Sequence, residues 1–221
     1  MLTGRTPSYN SYRGHTLTTA PAIEPVSLSE VKAQLGIDGT ADDTLLSMYI
    51  TASREHAEQM TGLALITQTW TLTLDAWPGH GEPWWDGVRD MAISALRSAG
   101  RPSNILLPRY PLRTVESVTA DGVAVTVADV FTVDNQQRPG RLVIKNGATW
   151  PTVLETANGI SIEYTAGYGA TASSVPAALR VGLLQMVASL YTHRGDQCSV
   201  ADAWKSSGAE SAFNAYRARV L

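Results

Sequence analysis

Apolar and polar positions follow a helical period over the first part of the chain. Ser27 and Glu30 have the spacing of a capping box, in which each side chain accepts a hydrogen bond from the other residue's backbone N–H. A short helix is therefore predicted from Leu28 to Gly36, where glycine permits a left-handed stop. A longer helix is predicted from Asp43 to Gly62, with one buried stripe at spacings of three and four. The stripe consists of Leu46, Ile50, Ser53, Ala57 and Met60.

The period changes to two after residue 65, as expected for a half-buried strand. Residues 66–74 alternate apolar side chains with Thr or Gln. Asp121-Gly122 predicts a type I′ hairpin turn. Other short strands are predicted at 105–107, 115–119, 123–127, 130–133, 142–144 and 159–165, the last closing the sheet. Strands of this length and spacing favour an antiparallel sheet or a small sandwich.

Helical periodicity returns at residues 176–194, and this helix is expected to pack on the 43–60 helix. The fold class predicted is α+β, with a helical core that is discontinuous in sequence and an antiparallel β-sheet or sandwich inserted into it. The expected organisation is an extended arm at 1–25, helical parts at 26–65 and 173–197, a β-rich insertion at 66–172 with a Trp-rich loop at 78–102, and a linker with a short helix at 198–221.

The N-terminal arm has no periodicity and is rich in Thr, Ser, Tyr and Gly. Two expectations stay open for it: a disordered basic tail, or an arm that becomes ordered against a neighbouring subunit. In the second case Tyr9, Tyr12 and Leu17 are its anchors. Trp84 and Trp85 lie in a segment whose Gly and Pro residues predict a loop. Two adjacent tryptophans there indicate packing against another surface.

Composition removes several classes of function. The net charge of −3 over 221 residues gives no general attraction to DNA or to an anionic membrane. Cys198 is the only cysteine, which excludes an internal disulfide. No stretch approaches about 18 uninterrupted apolar residues, and the N-terminus lacks the apolar core of a signal peptide. We expect a soluble protein made in a reducing cytosol.

No catalytic constellation is evident in the sequence. The histidines His15, His56, His80 and His193 lie in separate segments without metal-ligand spacing. The paired acids Asp42-Asp43 are explained by a helix start, where the helix dipole favours negative charge. We therefore predict no enzymatic activity and no catalytic, metal or cofactor site.

The order of several short motifs adds what periodicity cannot. They are residues 24–32 (EPVSLSEVK), 42–46 (DDTLL), 61–70 (TGLALITQTW), 107–112 (LPRYPL), 164–169 (YTAGYG), 175–179 (VPAAL), 190–194 (LYTHR) and 216–217 (YR). In this order they resemble the head–tail connector (adaptor) proteins of tailed phages and gene transfer agents, over about residues 24–217. The loop at 79–101 is longer than the resemblance implies, and the arm at 1–22 is unusual.

The resemblance implies a structural virion protein of the neck, made in the host cytoplasm and bound beneath the portal protein. It implies a homomeric ring, about twelve copies to match a portal, with a stopper or tail-completion protein below. DNA would pass through the channel without sequence readout, and no membrane would be involved. The alternative is a carbohydrate- or partner-binding β module of a tail or baseplate, with Trp84-Trp85 as its platform.

The C-terminal segment is the predicted portal contact, by the same resemblance. Its proposed contact residues are Trp204, Phe213, Tyr216, Arg217 and Arg219. The contacts predicted with a neighbouring subunit or the tail are Tyr9, Tyr12, Trp84 and Trp85. The other expectation for Phe213 and Tyr216 is that they fold back onto the subunit's own helices.

Overall fold

A computed structural model describes residues 13–77, 104–155, 157–195 and 199–218. The helices are α1 (Leu28–Leu35), α2 (Asp43–Thr61), α3 (Val127–Val130), α4 (Ala177–Thr192), α5 (Val200–Ser206) and α6 (Ala209–Asn214). The strands are β1 (Arg13–Thr19), β2 (Gln68–Leu74), β3 (Asn104–Leu106), β4 (Leu112–Ala120), β5 (Val123–Ala124), β6 (Phe131–Asp134), β7 (Arg141–Ile144) and β8 (Ile160–Ala166). The predicted α+β class is confirmed.

The helical part is built from segments before and after the β region, as predicted. Helix α4 packs against α2, and α1, α5 and α6 pack around this pair. The capping box of α1 is present, since Ser27 Oγ accepts from the Glu30 N–H at 3.2 Å and Glu30 Oε2 accepts from the Ser27 N–H at 2.8 Å. Gly36 and Gly62 end α1 and α2 with φ of 68° and 79°. The capping box and the two glycine stops therefore define the ends of these helices as the sequence predicted.

The β part consists of two antiparallel sheets that share one cluster of buried side chains. The larger sheet has the order β1-β2-β8-β4-β5, and the smaller has the order β3-β7-β6. Strand β8 lies in the middle of the larger sheet, between β2 and β4. The shared cluster includes Trp70, Ile105, Phe131, Leu142 and Ile162. This arrangement is a small sandwich.

The hairpin between β4 and β5 has the predicted turn. Asp121 and Gly122 both have positive φ, at 51° and 75°, as a type I′ turn requires. The returning strand is shorter than expected, because only Val123 and Ala124 pair with β4.

Part of the N-terminal arm belongs to the subunit's own sheet. Residues 13–19 form β1, which pairs antiparallel with β2 so that Arg13 is opposite Leu74 and Leu17 is opposite Trp70. The expectation of a disordered tail was therefore wrong for these residues. The side chains of β1 are mostly polar, so no alternation of apolar and polar residues predicted a strand there. Its partner, β2, lies about fifty residues further along the sequence.

Candidate interaction surfaces

Buried charges join the helical part to the sheet. Arg54 and Glu58 lie one turn apart on α2, and Arg54 Nη1 donates to Glu58 Oε2 at 3.1 Å. Arg54 Nε also donates to Glu24 Oε2 at 2.8 Å, which fixes the segment that precedes α1. The other oxygen, Glu58 Oε1, accepts from the Leu65 N–H at 2.8 Å and from Gln68 Nε2 at 2.9 Å. Glu58 thus holds both the end of α2 and the start of β2.

Arg109 completes this junction from the β side. Its Nη1 donates to the Glu58 backbone oxygen at 2.6 Å, and its guanidinium lies 4.4 Å from the centre of the Trp70 ring. Burial raises the pKa of Glu58, while the Leu65 hydrogen bond and the charges of Arg54 and Arg109 act in the opposite direction. Burial lowers the pKa of Arg109. Each of the three charged side chains of the junction, Arg54, Glu58 and Arg109, therefore has a partner.

This junction was not among the sequence-based expectations, although the sequence carries a signal for it. The apolar stripe of α2 continues from Ile50 at a spacing of four to Arg54 and Glu58, which are both buried. Met60, predicted on the buried stripe, is instead 46% exposed. A pair of opposite charges four residues apart in line with an apolar stripe therefore marked an internal ion pair.

His15 anchors β1 to the larger sheet through aromatic contacts. Its ring stacks on Trp70 with a centroid distance of 4.4 Å and an interplanar angle of 9°. His15 Nε2 forms a hydrogen bond of 2.8 Å with the Tyr164 hydroxyl, which also accepts from the Arg109 N–H at 3.2 Å. Burial, with a contribution from the Arg109 charge, lowers the pKa of His15 from 6.5 to about 4.

We expect this histidine to make the protein sensitive to acid. His15 takes up a proton near pH 6.5 in the unfolded chain. In the folded chain its lowered pKa delays protonation until about pH 4. Stability from the neutral ring is therefore complete above pH 6.5 and decreases as the pH falls from 6.5 to 4. The free energy of unfolding should decrease by about 1 to 2 kcal/mol over this range. This value is smaller than the pKa shift alone would give, because the ring is partly exposed and solvent screens its charge. Urea denaturation of the wild type and His15→Gln at pH 7.5 and 4.5 measures it.

The matched control for this prediction is His193→Gln. His193 is exposed and its Nδ1 lies 2.9 Å from the Ser189 carbonyl oxygen at the end of α4. We expect this variant to keep the pH dependence of the wild type, and His15→Gln to lose part of it. Equal pH dependence in all three proteins would contradict the role assigned to His15.

The structure corrects the predicted portal contact at two residues. Trp204 and Phe213 are buried at 3% and 0% exposure, and their rings contact each other with centroids 5.2 Å apart. Gly182 of α4 leaves room for Phe213, because a Cβ there would lie 3.2 Å from Phe213 Cε2. Both aromatic side chains therefore belong to the subunit's own helical core, as the alternative expectation held for Phe213.

The other predicted contact residues have different positions. Tyr216 is partly buried against the helical core, and Arg217 is exposed. The positions of Arg219, Tyr9, Tyr12, Trp84 and Trp85 lie outside the described residues. The glycan-binding alternative depended on Trp84-Trp85, so it gains no support from the described surfaces.

A shallow apolar groove follows the outer side of α2. It has a volume of about 400 Å³ and runs between the segment before α1, α2 and the turn before α4. Its walls are formed mainly by Ile23, Val26, Leu28, Ile50 and Ala172. The neighbouring Met48 on α2 is 64% exposed. This surface offers apolar area that the subunit itself leaves uncovered.

The described part of the chain was compared with the patterns of a metal site and of a membrane-spanning helix. Residues 13–77, 104–155, 157–195 and 199–218 contain no group of three or more His, Cys, Asp or Glu side chains placed to hold a metal ion. Within the same ranges, no helix has both the length and the apolar character needed to cross a membrane.

Comparison with known sequences identifies the first helical part. Residues 25–82 match the sequence profile of the family described as "Phage gp6-like head-tail connector protein". This range includes α1, α2, the Arg54–Glu58 pair and β2. This match confirms the resemblance to head–tail connectors. No curated protein matches the sequence at a significant level.

Solved structures show that the similarity in fold extends over most of the chain. A chain from the neck of an empty GTA particle, computed with C6 symmetry, superposes with a TM-score of 0.70 and 24% identity, over 94% of this chain and 97% of that chain. A chain of a native gene transfer agent virion gives 0.67 and 23%, with the same coverage. A chain from the neck of a native GTA particle, computed with C12 symmetry, gives 0.64 and 22%, over 93% and 97%.

Proposed function

We propose that this protein is a head–tail connector that forms a ring in the neck of a phage-like particle. The observation that carries the proposal is the agreement of two comparisons. The connector profile covers residues 25–82, and the whole fold superposes on chains of particle necks at a TM-score up to 0.70. This superposition covers 94% of the chain and 97% of the chain from the particle neck.

The ring would use two different surfaces on each subunit, since cyclic symmetry requires head-to-tail contacts. Exposed apolar side chains on α2 and α4 support a role of both helices in such contacts. Met48 of α2 is 64% exposed, and Val181 of α4 is 50% exposed. Burial of such area in a neighbouring copy would contribute about 25 cal/mol per Å².

Contact with a portal protein would come from the end of the chain. Trp204 and Phe213 are removed from this contact by their burial, which leaves Tyr216 and Arg217 in the described part. An arginine suits such a contact, because it pairs with acidic side chains in a bidentate geometry. A stopper or tail-completion protein would bind on the opposite side of the ring.

DNA would pass through the ring without sequence readout, and the ring would perform no catalysis. The net charge of −3 is consistent with a lumen that does not hold DNA tightly. Contacts to phosphates would be few and would weaken as salt increases.

The proposed ring is tested by assembly on portal-bearing heads that lack neck proteins. We expect about twelve copies per head, seen by cryo-electron microscopy without imposed symmetry. Met48→Glu should reduce ring occupancy, because it places a charge in an apolar contact. Leu154→Glu is the matched control, since Leu154 is 84% exposed in a loop. A single copy per particle, or no binding by the wild type, would refute the proposed function.

A further inference from the structure

We propose that the larger sheet continues from one subunit into the next. In this arrangement β1 of one copy pairs antiparallel with the free edge of β4 in the neighbouring copy. The proposal rests on the ring proposed above and specifies the strands that join its subunits. It concerns two edges at opposite ends of one sheet, β1-β2-β8-β4-β5, in which β5 covers only the last part of β4.

The outer edge of β1 has no strand partner among the described residues, where β1 pairs only with β2. Monomeric proteins usually protect such an edge with lysine, proline or an inward-pointing charge. Arg13, the first residue of β1, is its one arginine or lysine, and residues 14–19 contain no acid, lysine, arginine or proline. Leu17 is 44% exposed, and the one irregularity in register lies at the end of the strand, between Leu17 and Thr19. The edge is therefore suited to pair with another strand.

Strand β4 offers a free edge of nearly the same length. It spans Leu112–Ala120, but β5 pairs only with Thr119 and Ala120, and the Val125 N–H donates to the Val118 carbonyl oxygen at 2.8 Å. Residues 112–117 thus have no strand on that side within the described ranges, against the seven residues of β1. Register shifts against β8 lie between Leu112 and Thr114 and between Val115 and Ser117, so a second copy would pair with this edge in short stretches rather than along one regular ladder.

Strand direction favours pairing between these two edges. Every neighbouring pair from β1 through β2 and β8 to β4 is antiparallel, so β1 and β4 run in opposite directions. A rotation of about 30°, as between twelve copies in a ring, nearly preserves the direction of each strand. The β1 strand of the next copy would then run antiparallel to β4. Pairing of β1 with another β1 would instead give a twofold dimer that cannot form a ring.

The side chains on the exposed face would also continue across the joint. Thr18 Oγ1 lies 2.6 Å from Thr71 Oγ1 at one edge of the sheet. At the other edge Thr114 Oγ1 lies 2.6 Å from Thr165 Oγ1. Threonine pairs across antiparallel strands stabilise a sheet, and this face already presents them at both edges. A copy that adds β1 beside β4 would extend the same threonine surface.

The first test places a charge on the β1 edge. Leu17→Lys should fold with a melting temperature near that of the wild type, because the side chain is already partly exposed. Its ring occupancy on portal-bearing heads should fall by about tenfold or more, since lysine at an edge opposes pairing. Leu154→Lys makes the same change at a more exposed leucine, which lies in a loop beside the β4–β5 turn and not along residues 14–19 or 112–117, and it should assemble as the wild type does.

The second test measures the proposed neighbours directly. In a Cys198→Ser background, Thr16→Cys is combined either with Thr114→Cys or with Ser117→Cys, because register places Thr114 and Ser117 on the face of Thr165 and Glu163. Opposed residues in an antiparallel pair have Cα atoms close enough for a disulfide. Mild oxidation of assembled rings should give a ladder of chain multiples for at least one pair. Thr16→Cys with Thr132→Cys, on exposed β6, should give none.

The outcomes separate the two proposals. Rings that form normally with Leu17→Lys, and that give no ladder with either cysteine pair, would overturn the sheet contact and leave the ring intact. A ladder with a pair at β4, but not with Thr132→Cys, would support the contact. Wild-type protein that does not assemble on portal-bearing heads would overturn the ring itself, and with it the sheet contact.

Discussion

Deletion of residues 199–221 is expected to unfold the protein. The alternative result is a folded subunit that lacks only the predicted portal contact. The deletion removes Trp204 and Phe213, which are buried in the helical core together with Ala203 and Ala209. Loss of one buried large aromatic side chain costs about 3–5 kcal/mol. Two such losses approach the whole stability of an ordinary domain, about 5–15 kcal/mol. Circular dichroism and thermal melting of the truncated chain measure this directly.

Single substitutions separate core packing from the loss of the segment. Phe213→Ala should reduce the free energy of unfolding by about 3–5 kcal/mol, because the ring fills the space above Gly182. Lys205→Ala, at an exposed position on α5, should change it by less than about 0.5 kcal/mol. A truncated chain that melts at the wild-type temperature would show that the segment is not part of the core.

Glu58→Ala is expected to produce the largest loss of stability among single changes of charge. It leaves Arg54 buried with one partner fewer and removes the acceptor for the Leu65 N–H and the Gln68 amide. Removal of one partner from a buried ion pair costs about 3–5 kcal/mol, because the other charge stays in a poorly solvated position. Chemical denaturation monitored by tryptophan fluorescence gives the difference in unfolding free energy.

The control is Glu55→Ala on the same helix. The Glu55 side chain is 66% exposed and lies 3.4 Å from Arg54 at its nearest approach. We expect a change of less than about 1 kcal/mol, as is usual for surface ion pairs. Similar losses from Glu55→Ala and Glu58→Ala would mean that the buried network does not hold the junction together.

The junction also connects the helical part to the β-sandwich. Arg109 reaches from the loop before β4 to the end of α2, so the helices and the sandwich meet through charged groups as well as apolar packing. Such a connection resists sliding between the two parts, since any movement would separate a buried charge from its partner.

The amino-acid sequence alone determined the elements whose signals lie within a few residues. The capping box at Ser27, the stops at Gly36 and Gly62 and the Asp121-Gly122 turn all depend on neighbouring backbone groups. The alternation in β2 likewise marks a strand with one buried face. These features need no information about distant partners, and the order of motifs was enough to indicate the connector family.

Only the tertiary structure decided which distant surfaces meet. Strand β1 is polar along most of its length, so its place in the sheet depends on β2 and on the aromatic pair Trp70 and Tyr164. The aromatic residues Trp204 and Phe213 fit an exposed contact or an internal core equally well by pattern. Their burial follows from the space that α4 leaves at Gly182, because packing depends on the shapes of facing elements and not on the sequence around either residue.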